Sequence, residues 1–507
     1  MSSTARSTLT SKRLCKKSLA ENNSEDDHIS RLPNPVLLHI FYLLPLECWL
    51  TMSLVSKQFV DLWTHIPFLD FDQHEMEDKI MRNNLCPEYG KCCRSYFPIM
   101  CHPKCAKVTQ KKFVRVVDRM IRLHSGSTLN SFNLSINYYQ QYWDIKMVDS
   151  WVHFAMTKNI KQVELNFDLS YPTEDRNKLR LYTVPLEHFA SKVLTSLELE
   201  ACEFKASSLG SFENLSFFGL TSVTLLDKTV GHFVSKFPRL SELCMYNCVL
   251  LEDNFFVSKE EFKVEILSIS DCMTTKSMVF PIYITAPNLM KYHFSASCLD
   301  SCSIMGAHKL KDANIYIDSR VADRSQESLL DTLLKDLSHC QTLYLNSWCI
   351  QVLATRKCSS SKPLHQLQNT KELYLALYSI KQELPGICWL LKRCPALHTL
   401  TLSFYQRHDP KSVTWTGFVP DVQVESYWKS QDMLFECMQY SLKTIKVEAF
   451  TGQAMEMQTL KFLLQNAMVL EKLELCDTDS LREADMVKNF KKASPDARVA
   501  INMELAS

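Results

Sequence analysis

The chain has 507 residues, a formal net charge of +1, 46% hydrophobic residues and 22% charged residues. This length exceeds the ~100–200 residues of one ordinary domain, and the balanced charge argues against a general nucleic-acid binder. The 9 glycines are too few for the clustered glycines that a phosphate-binding backbone needs, so nucleotide-dependent catalysis is not expected.

Residues 1–28 are polar, with basic residues followed by acidic ones, and are predicted to form a disordered N-terminal arm. A nuclear-import patch is the alternative. The arm has no apolar run, so no secretory signal is expected, and no stretch of about 20 apolar residues predicts a membrane span. The 20 cysteines are therefore expected to stay reduced in the nucleus or the cytoplasm and to pack as small hydrophobes.

Residues 29–75 form the first predicted module, a group of three short apolar helices. Asn34 can cap the first helix, and Pro35 can occupy its first turn. Apolar residues then recur at helical spacing until Pro45 ends this helix. Because a module of this size buries little surface alone, it should need a partner or a neighbour to become stable.

The run from Ile29 to Trp63 resembles the plant-type F-box, and the residues up to Phe71 continue in the manner of that family. The resemblance implies that the helices bind a Skp-type adaptor, which links the chain to a cullin scaffold. Two positions depart from the pattern, since Pro35 replaces an acidic residue and Phe59 replaces a tryptophan. In the alternative interpretation the helices only cap a repeat array. The expected adaptor-binding residues are Leu32, Pro33, Val36, Leu37, Ile40, Phe41, Leu44, Pro45, Val55, Ser56, Phe59 and Trp63.

Residues 76–124 are predicted to form a cysteine-rich linker or helical segment. Its clustered thiols and one imidazole could supply the four ligands of a zinc site. Their spacing lacks the paired C-x2-C of a zinc knuckle, so incidental cysteines are the preferred interpretation, and no metal or other cofactor is predicted. The clustered residues are Cys86, Cys92, Cys93, Cys101, His102 and Cys105.

From residue 125 a leucine-rich pattern recurs: apolar, two residues, apolar, one residue, apolar, often with cysteine three positions later. The array itself is predicted to span residues 125–414, and further copies follow in the C-terminal region that completes it. Each copy predicts a short strand whose apolar side chains point inward. Because one unit cannot bury its own apolar face, the units should stack into a leucine-rich-repeat solenoid. The predicted fold class is therefore α/β, with a curved parallel sheet, helices on the convex side and a small all-α F-box domain in front. Copies are expected to begin at Leu129, Ile160, Leu194, Leu220, Leu240, Val264, Leu289, Cys340, Thr370, Leu397, Leu442 and Leu470.

Residues 415–507 are predicted to complete the array. The run from Trp428 through Phe450-x-Gly452 to Leu473 resembles the FBD domain of plant F-box/leucine-rich-repeat proteins. Ser494-Pro495 fits the closing strand of that domain. This second resemblance implies the same family as the F-box does.

The family resemblance implies the substrate-recognition subunit of a Skp–cullin–F-box ubiquitin ligase. Such a subunit is not an enzyme, because it accelerates ubiquitin transfer by proximity. A leucine-rich-repeat scaffold and a small-molecule receptor are the alternatives, and neither nucleic acid nor membrane is expected as a partner.

The outward side chains of the predicted sheet are expected to bind an unknown protein substrate, with tyrosines as anchors. The candidates are Glu198, Glu242, Tyr246, His293, Tyr344, Asn346 and Tyr374. Further outward positions are Glu200, Lys291, Glu372, Thr401 and Ser403.

Overall fold

The computed structural model describes two compact units, Met1–Arg180 and Leu181–Ser507. The N-terminal arm, Pro45, Val55, Ser56 and the Cys86–His102 part of the cysteine cluster lie outside the described residues, as does the side chain of Cys105. The described residues are 29, 31–44, 48–49, 52, 59, 62–76, 103–138, 143–167, 180–186, 192–210, 212–227, 234–251, 255–257, 263–276, 281–299, 301–318, 325–354, 366–405, 423–431, 435–476 and 480–502.

The first unit combines helices with parallel strands. Its strands pair in chain order, the first with the second and the second with the third. The first strand falls within the predicted F-box module, so the strand ladder begins well before residue 125. The elements are α1 (Asn34–Tyr42), β1 (Phe68–Asp72), α2 (Pro103–Leu123), β2 (Ser131–Ser135), α3 (Ile145–Thr157) and β3 (Gln162–Asn166).

Helix α1 begins one residue earlier than predicted. Pro33 occupies the N-cap position, Asn34 is the first helical residue and makes no capping bond with its side chain, and Pro35 lies in the first turn. Proline fits there because the first helical N–H groups have no partner within the helix. The prediction that Asn34 caps this helix is therefore wrong, whereas the place of Pro35 is as expected.

Helices α2 and α3 pack through aromatic rings. Phe113 of α2 meets Trp151 of α3 edge to face, with ring centroids 6.4 Å apart. The indole nitrogen of Trp151 donates a hydrogen bond to Asp118 Oδ1 at 2.8 Å, so this large buried ring keeps its polar group satisfied.

The second unit is built around a long parallel sheet in the order β5–β7–β9–β12–β15–β17–β18–β19–β20–β21–β22–β23. Corresponding residues of neighbouring strands lie side by side, as Leu197, Phe218 and Leu243 do. The strands are β4 (Tyr182–Thr183), β5 (Ser196–Glu200), β6 (Cys202–Phe204), β7 (Phe217–Thr221), β8 (Thr224–Leu225), β9 (Glu242–Tyr246), β10 (Val249–Leu250), β11 (Phe255–Val257), β12 (Ile266–Ser270), β13 (Met273–Thr274), β14 (Ile282–Thr285), β15 (Lys291–Ala296), β16 (Cys302–Met305), β17 (Asp312–Ile317), β18 (Thr342–Asn346), β19 (Glu372–Leu377), β20 (Thr399–Phe404), β21 (Thr444–Glu448), β22 (Lys472–Cys476) and β23 (Arg498–Asn502).

The predicted repeats match these strands closely. Every expected start except Leu220 lies two residues before a strand of the ladder, which confirms the fold class. Leu220 is wrong because it lies inside β7 and is buried there. The repeat begins at Leu215, and its aromatic middle residue, Phe218, concealed the pattern. Strand β17 was not predicted because Ala313 occupies the same middle position.

The chain returns between main strands in two ways. In the earlier repeats it passes through two small parallel sheets, β13–β10–β8–β6–β4 and β11–β14–β16. In the later repeats it passes through helices, as predicted. These helices are α4 (Ser325–Asp336), α5 (Ser347–Ala354), α6 (Leu384–Leu391), α7 (Val424–Lys429), α8 (Glu436–Tyr440), α9 (Ala454–Asn466) and α10 (Leu481–Lys488). None of the helices described is long and apolar enough to cross a membrane.

Where the chain turns from the main sheet into the small sheet β13–β10–β8–β6–β4, single residues adopt the left-handed backbone conformation. Ala201, Ser222, Asn247 and Asp271 follow main strands directly and have φ values of 51–54°. The backbone N–H of Ala201 donates to the carbonyl of Thr221 at 2.9 Å, and the other three make the equivalent bond to the next repeat. The repeating hydrogen bond between repeats stabilises a conformation that costs a non-glycine residue about 1–2 kcal/mol.

Helices α5 and α6 approach so closely that only glycine fits at one position. A Cβ atom on Gly386 would lie 1.9 Å from the carbonyl oxygen of Ile350. Backbone cannot move aside as a side-chain end can, so this contact fixes the residue type.

We expect Gly386→Ala to lower the free energy of unfolding by about 2 kcal/mol, because overpacking outweighs the better helix propensity of alanine. Gly219→Ala is the matched control. Its Cβ would meet only side-chain atoms of Phe217 and Glu198, at 3.1 and 3.2 Å, and should cost less than about 1 kcal/mol. Urea denaturation followed by circular dichroism measures both, and equal losses would contradict the close-approach explanation.

Candidate functional site

Helix α1 has a buried face and an exposed face. Leu37 and Phe41 are 1% and 0% exposed, and Phe59 and Trp63 are also buried within the first unit. These four residues were expected to contact an adaptor. Their side chains lie in the interior, so the structure corrects that expectation: they support the fold of the module rather than contact a partner directly.

Trp49 holds the end of α1 in place and was not singled out from the sequence. Its indole nitrogen donates to the carbonyl oxygens of Phe41 and Leu44, at 2.8 and 3.1 Å. Its ring packs edge to face on Phe68 of β1 with centroids 5.9 Å apart. The helix is thereby joined to the first strand of the ladder within this unit.

The other side of α1 presents apolar residues to solvent. Val36 is 43% exposed and Leu43 is 68% exposed. Leu43 was not predicted to contact the adaptor. We call this surface the apolar α1 face; its members are Leu32, Pro33, Val36, Ile40, Leu43 and Leu44, which are exposed or half-buried.

The main sheet of the second unit carries several outward rows of side chains, since strands alternate their faces. Two of these rows begin with a glutamate, and smaller or polar side chains and tyrosines follow along the sheet. One row contains Glu198, Gly219, Cys244, Ser268, His293, Asn314, Tyr344, Tyr374 and Thr401. The other contains Glu200, Thr221, Tyr246, Ser270, Ser295 and Tyr316.

A pocket of about 300 Å³ opens on this face. We call it the sheet pocket. Its floor consists of short side chains, whereas tyrosine rings stand at its sides. The predicted residues Tyr246, His293 and Tyr344 come together here. The lining residues are Tyr246, Ser268, Ser270, His293, Phe294, Ser295, Asn314, Tyr316 and Tyr344.

Burial and neighbouring charged groups change the pKa of the tyrosine at one side of the pocket. Burial raises the pKa of Tyr316 above its usual value, and the nearby charges of Asp318 and Asp271 raise this pKa further. At the acidic end of the rows, burial raises the pKa of Glu198, and repulsion from Glu200 and Glu242 adds to the increase. Because the pKa of Tyr316 is raised, its hydroxyl is protonated at neutral pH.

Four side chains that stack or form hydrogen bonds with one another include Tyr344, which lines the pocket. We call them the tyrosine network; its members are Tyr344, Tyr374, Tyr405 and Glu448. The rings of Tyr344 and Tyr374 stack with centroids 4.8 Å apart. The Tyr374 hydroxyl donates to Glu448, and the Tyr344 hydroxyl is hydrogen-bonded to Tyr405. Burial, together with these bonds, raises the pKa of both Tyr344 and Tyr374.

The tyrosine network buries two positions that were expected to be outward contacts. Tyr374 lies on β19 and Glu448 on β21, so the bond between them spans β20. Thr401 and Ser403 of β20 are buried. The alternation of faces was correct for these residues, but their accessibility was not, because side chains from both neighbouring strands cover them.

Asn346 was expected to contact a substrate, and the structure contradicts this. It is buried, its Nδ2 donates to the carbonyl of Ile317 at 2.8 Å, and its Oδ1 accepts from the N–H of Ile317 at 3.2 Å. The amide side chain thus pairs with backbone at the end of β17, where the backbone pairing with β18 has ended at Ile315.

The remaining predicted residues lie away from the pocket floor. Glu198 and Glu242 are at the acidic end of the sheet. Tyr374 lies on β19, next to Tyr344 of β18 and on the side away from the other pocket residues. Six of the pocket residues were not predicted: Ser268, Ser270, Phe294, Ser295, Asn314 and Tyr316. Tyr316 and Asn314 were missed because β17 was not recognised. Had the Leu310-x-x-Ala313-x-Ile315 repeat been identified, strand alternation would have found both.

Within the ranges that the structure describes, no group of three or more His, Cys, Asp or Glu residues is arranged to hold a metal ion. Several thiols are buried, and burial raises the pKa of Cys302 and of Cys340 to about 12. Such thiols are poor nucleophiles because the thiolate is disfavoured.

Comparison with known proteins places these features in a family. The model for the F-box domain matches residues 29–71, and the model described as At1g61320/AtMIF1, LRR domain matches residues 120–504. Among relatives from Arabidopsis thaliana, F-box/LRR-repeat protein At3g58930 is 26% identical over 74% of this chain and 76% of its own length.

Two further Arabidopsis thaliana relatives are each 22% identical to this chain. Putative F-box/LRR-repeat protein At5g54820 aligns over 92% of this chain and 95% of its own length, and F-box/FBD/LRR-repeat protein At5g22660 over 90% and 91%. An F-box ahead of a matched repeat domain confirms the resemblance seen in the sequence. The chain belongs to the plant F-box/leucine-rich-repeat family and carries the At1g61320/AtMIF1 type of repeat domain.

Proposed function

We propose that this protein is the substrate-recognition subunit of a Skp–cullin–F-box ubiquitin ligase. The observation that carries the proposal is the apolar α1 face, which lies exposed within the matched F-box. In this role the face binds the Skp-type adaptor, and the adaptor connects the chain to the cullin.

The energetics of the apolar α1 face support an interface. Fully burying one large apolar side chain contributes about 1.5–3 kcal/mol. Val36 and Leu43 retain much of their apolar area in the free chain, so a partner that covers them gains this contribution. The buried residues Leu37 and Phe41 hold the helix in place for that contact.

The exposed face of the main sheet is the proposed substrate-binding surface. Held there, a substrate stays near the ubiquitin-charged enzyme of the ligase, and transfer is accelerated by proximity, without catalysis by this chain. We place the protein in the nucleus or the cytoplasm, where its thiols stay reduced.

We expect the double variant Val36→Asp, Leu43→Asp to lose co-purification with the Skp-type adaptor. Removing two apolar contacts and burying two charges should weaken the affinity at least about a hundredfold. The melting temperature of the repeat array should not change, because both side chains are exposed. Calorimetric titration with purified adaptor measures the affinity.

The matched control is Leu123→Asp, Ile145→Asp, which alters two exposed apolar residues of the same unit outside the F-box. It should bind the adaptor normally. Normal binding by the Val36, Leu43 variant would instead refute the adaptor interface and favour the scaffold that only carries F-box-like helices.

We expect Tyr246→Ala to reduce substrate capture while the protein remains folded, because this ring is 41% exposed and belongs to the outward row. The measurement is proximity labelling in plant cells, with and without a proteasome inhibitor. Proteins whose labelling rises with the inhibitor in the wild type should lose that rise in the variant. A hot-spot aromatic contributes about 2 kcal/mol or more to binding.

Tyr440→Ala removes a tyrosine that is 73% exposed on α8, away from the sheet pocket, and should leave the labelled set unchanged. Leu243→Ala truncates a buried residue and should lose capture only together with the fold, at a cost of about 2–5 kcal/mol. An unchanged labelled set for Tyr246→Ala would move the substrate site away from this part of the sheet, to the segments 171–190 or 404–427 or to the C-terminal region.

A further inference from the structure

The sheet pocket is a slot between tyrosines with serines at its base. Register places Tyr246, Ser270, Ser295 and Tyr316 side by side on four neighbouring strands. Strands are about 4.8 Å apart, so the two tyrosine backbones stand roughly 14 Å from each other. Because the two residues between them have short side chains, the space between the rings stays open.

The lining groups suit a ligand that donates hydrogen bonds and carries positive charge. The hydroxyls of Ser270 and Ser295 and the amide oxygen of Asn314 can accept hydrogen bonds. The tyrosine rings offer π faces, to which ammonium and guanidinium groups are attracted within about 6 Å of the ring centroid. An apolar side chain would leave these polar groups unsatisfied, which disfavours it.

The charged side chains around the pocket also favour a ligand that carries positive charge. Asp271 and Asp318 are exposed; Asp271 directly follows Ser270 at the end of β12, and Asp318 directly follows the end of β17, the strand that carries Tyr316. The lining residues include neither lysine nor arginine. Lys291 stands on the adjacent row of β15, where its Nζ is 4.0 Å from a carboxylate oxygen of Asp312.

Acidic side chains extend beyond the pocket along the exposed sheet faces. In the second unit they include Glu198, Glu200 and Glu242; burial raises the pKa of Glu198, and repulsion from the other two glutamates adds to the increase. In the first unit, burial raises the pKa of Asp70 to about 6, with further contributions from Asp72, Glu75 and Glu164. These groups of carboxylates favour a positively charged chain at the places on the sheet face of each unit where they lie.

We propose that the sheet pocket receives an arginine or lysine side chain from an extended basic segment of a protein substrate. The proposal rests on the substrate-recognition role proposed above. The cationic head lies in the space between the two tyrosines, against the ring of Tyr316; its N–H groups donate to the serine and asparagine oxygens, and Asp271 and Asp318 supply the compensating charge. The pocket volume of about 300 Å³ accommodates one long side chain.

The direct test measures binding of fluorescein-labelled peptides to the purified full-length chain by fluorescence anisotropy. The probe is a short peptide of serine and alanine with arginine at alternate positions. Two otherwise identical peptides carry citrulline, which has nearly the shape of arginine without its charge, or glutamate. We expect the arginine peptide to bind at least about tenfold more tightly than the citrulline peptide, and the glutamate peptide not to bind.

Variants locate the binding to the pocket. Tyr316→Ala and Asp271→Asn should each weaken arginine-peptide binding about fivefold or more. Asparagine tolerates the left-handed backbone of Asp271 (φ 52°), so this substitution removes charge and keeps the fold. The controls Tyr440→Ala and Asp496→Asn alter an exposed tyrosine and an exposed aspartate outside the pocket, and should bind the peptide as the wild type does.

Equal binding of the arginine and citrulline peptides, tighter binding of the glutamate peptide, or no binding of any peptide would overturn the proposal. Loss of arginine-peptide binding in the control variants to the same extent as in the pocket variants would also overturn it. The Val36→Asp, Leu43→Asp variant should bind the peptide normally. Because this assay contains no adaptor, its outcome is independent of whether the apolar α1 face binds one.

Discussion

The structure depends on the in-register stacking of parallel strands. No single repeat can bury its own apolar side chains or satisfy both edges of its strand, so each repeat is stable only between two neighbours. Leu197, Phe218 and Leu243 show the consequence: they lie side by side and are fully buried. The same register aligns the outward residues into rows, and the functional surfaces are built from these rows.

Where the chain leaves the main sheet in the later repeats, two buried glutamates hold its corners. Glu383 accepts the backbone N–H groups of Tyr378 and Ile380, at 2.9 and 3.1 Å. Glu456 accepts the N–H groups of Thr451 and Gly452, both at 2.9 Å. Each carboxylate thereby supplies the acceptor that these loop donors need in the interior.

These glutamates also connect repeats that are distant in sequence. Glu383 accepts a hydrogen bond from the Ser347 hydroxyl at the start of α5, and Glu456 accepts one from Ser379 at 2.5 Å. The corner that contains Ser379 follows β19, the strand that carries Tyr374. These hydrogen bonds tie the corner that follows Tyr374 of the tyrosine network to the repeats on either side.

The sequence by itself determined the repeat frame, because strand alternation and the leucine spacing are local properties. It placed nearly every predicted repeat start two residues before a strand, and it assigned Tyr246, His293 and Tyr344 to the outward rows. It also identified the F-box, whose apolar residues recur at helical spacing.

Only the tertiary structure decided which of these residues are accessible. Thr401 is covered by a bond between Tyr374 and Glu448, two residues that are 74 positions apart in the chain. Leu37 is buried, and Phe41 is buried against Phe59, a residue outside its own helix. A local pattern shows the direction in which a side chain points. How far that side chain is covered depends on residues from other repeats and helices, which the fold alone brings together.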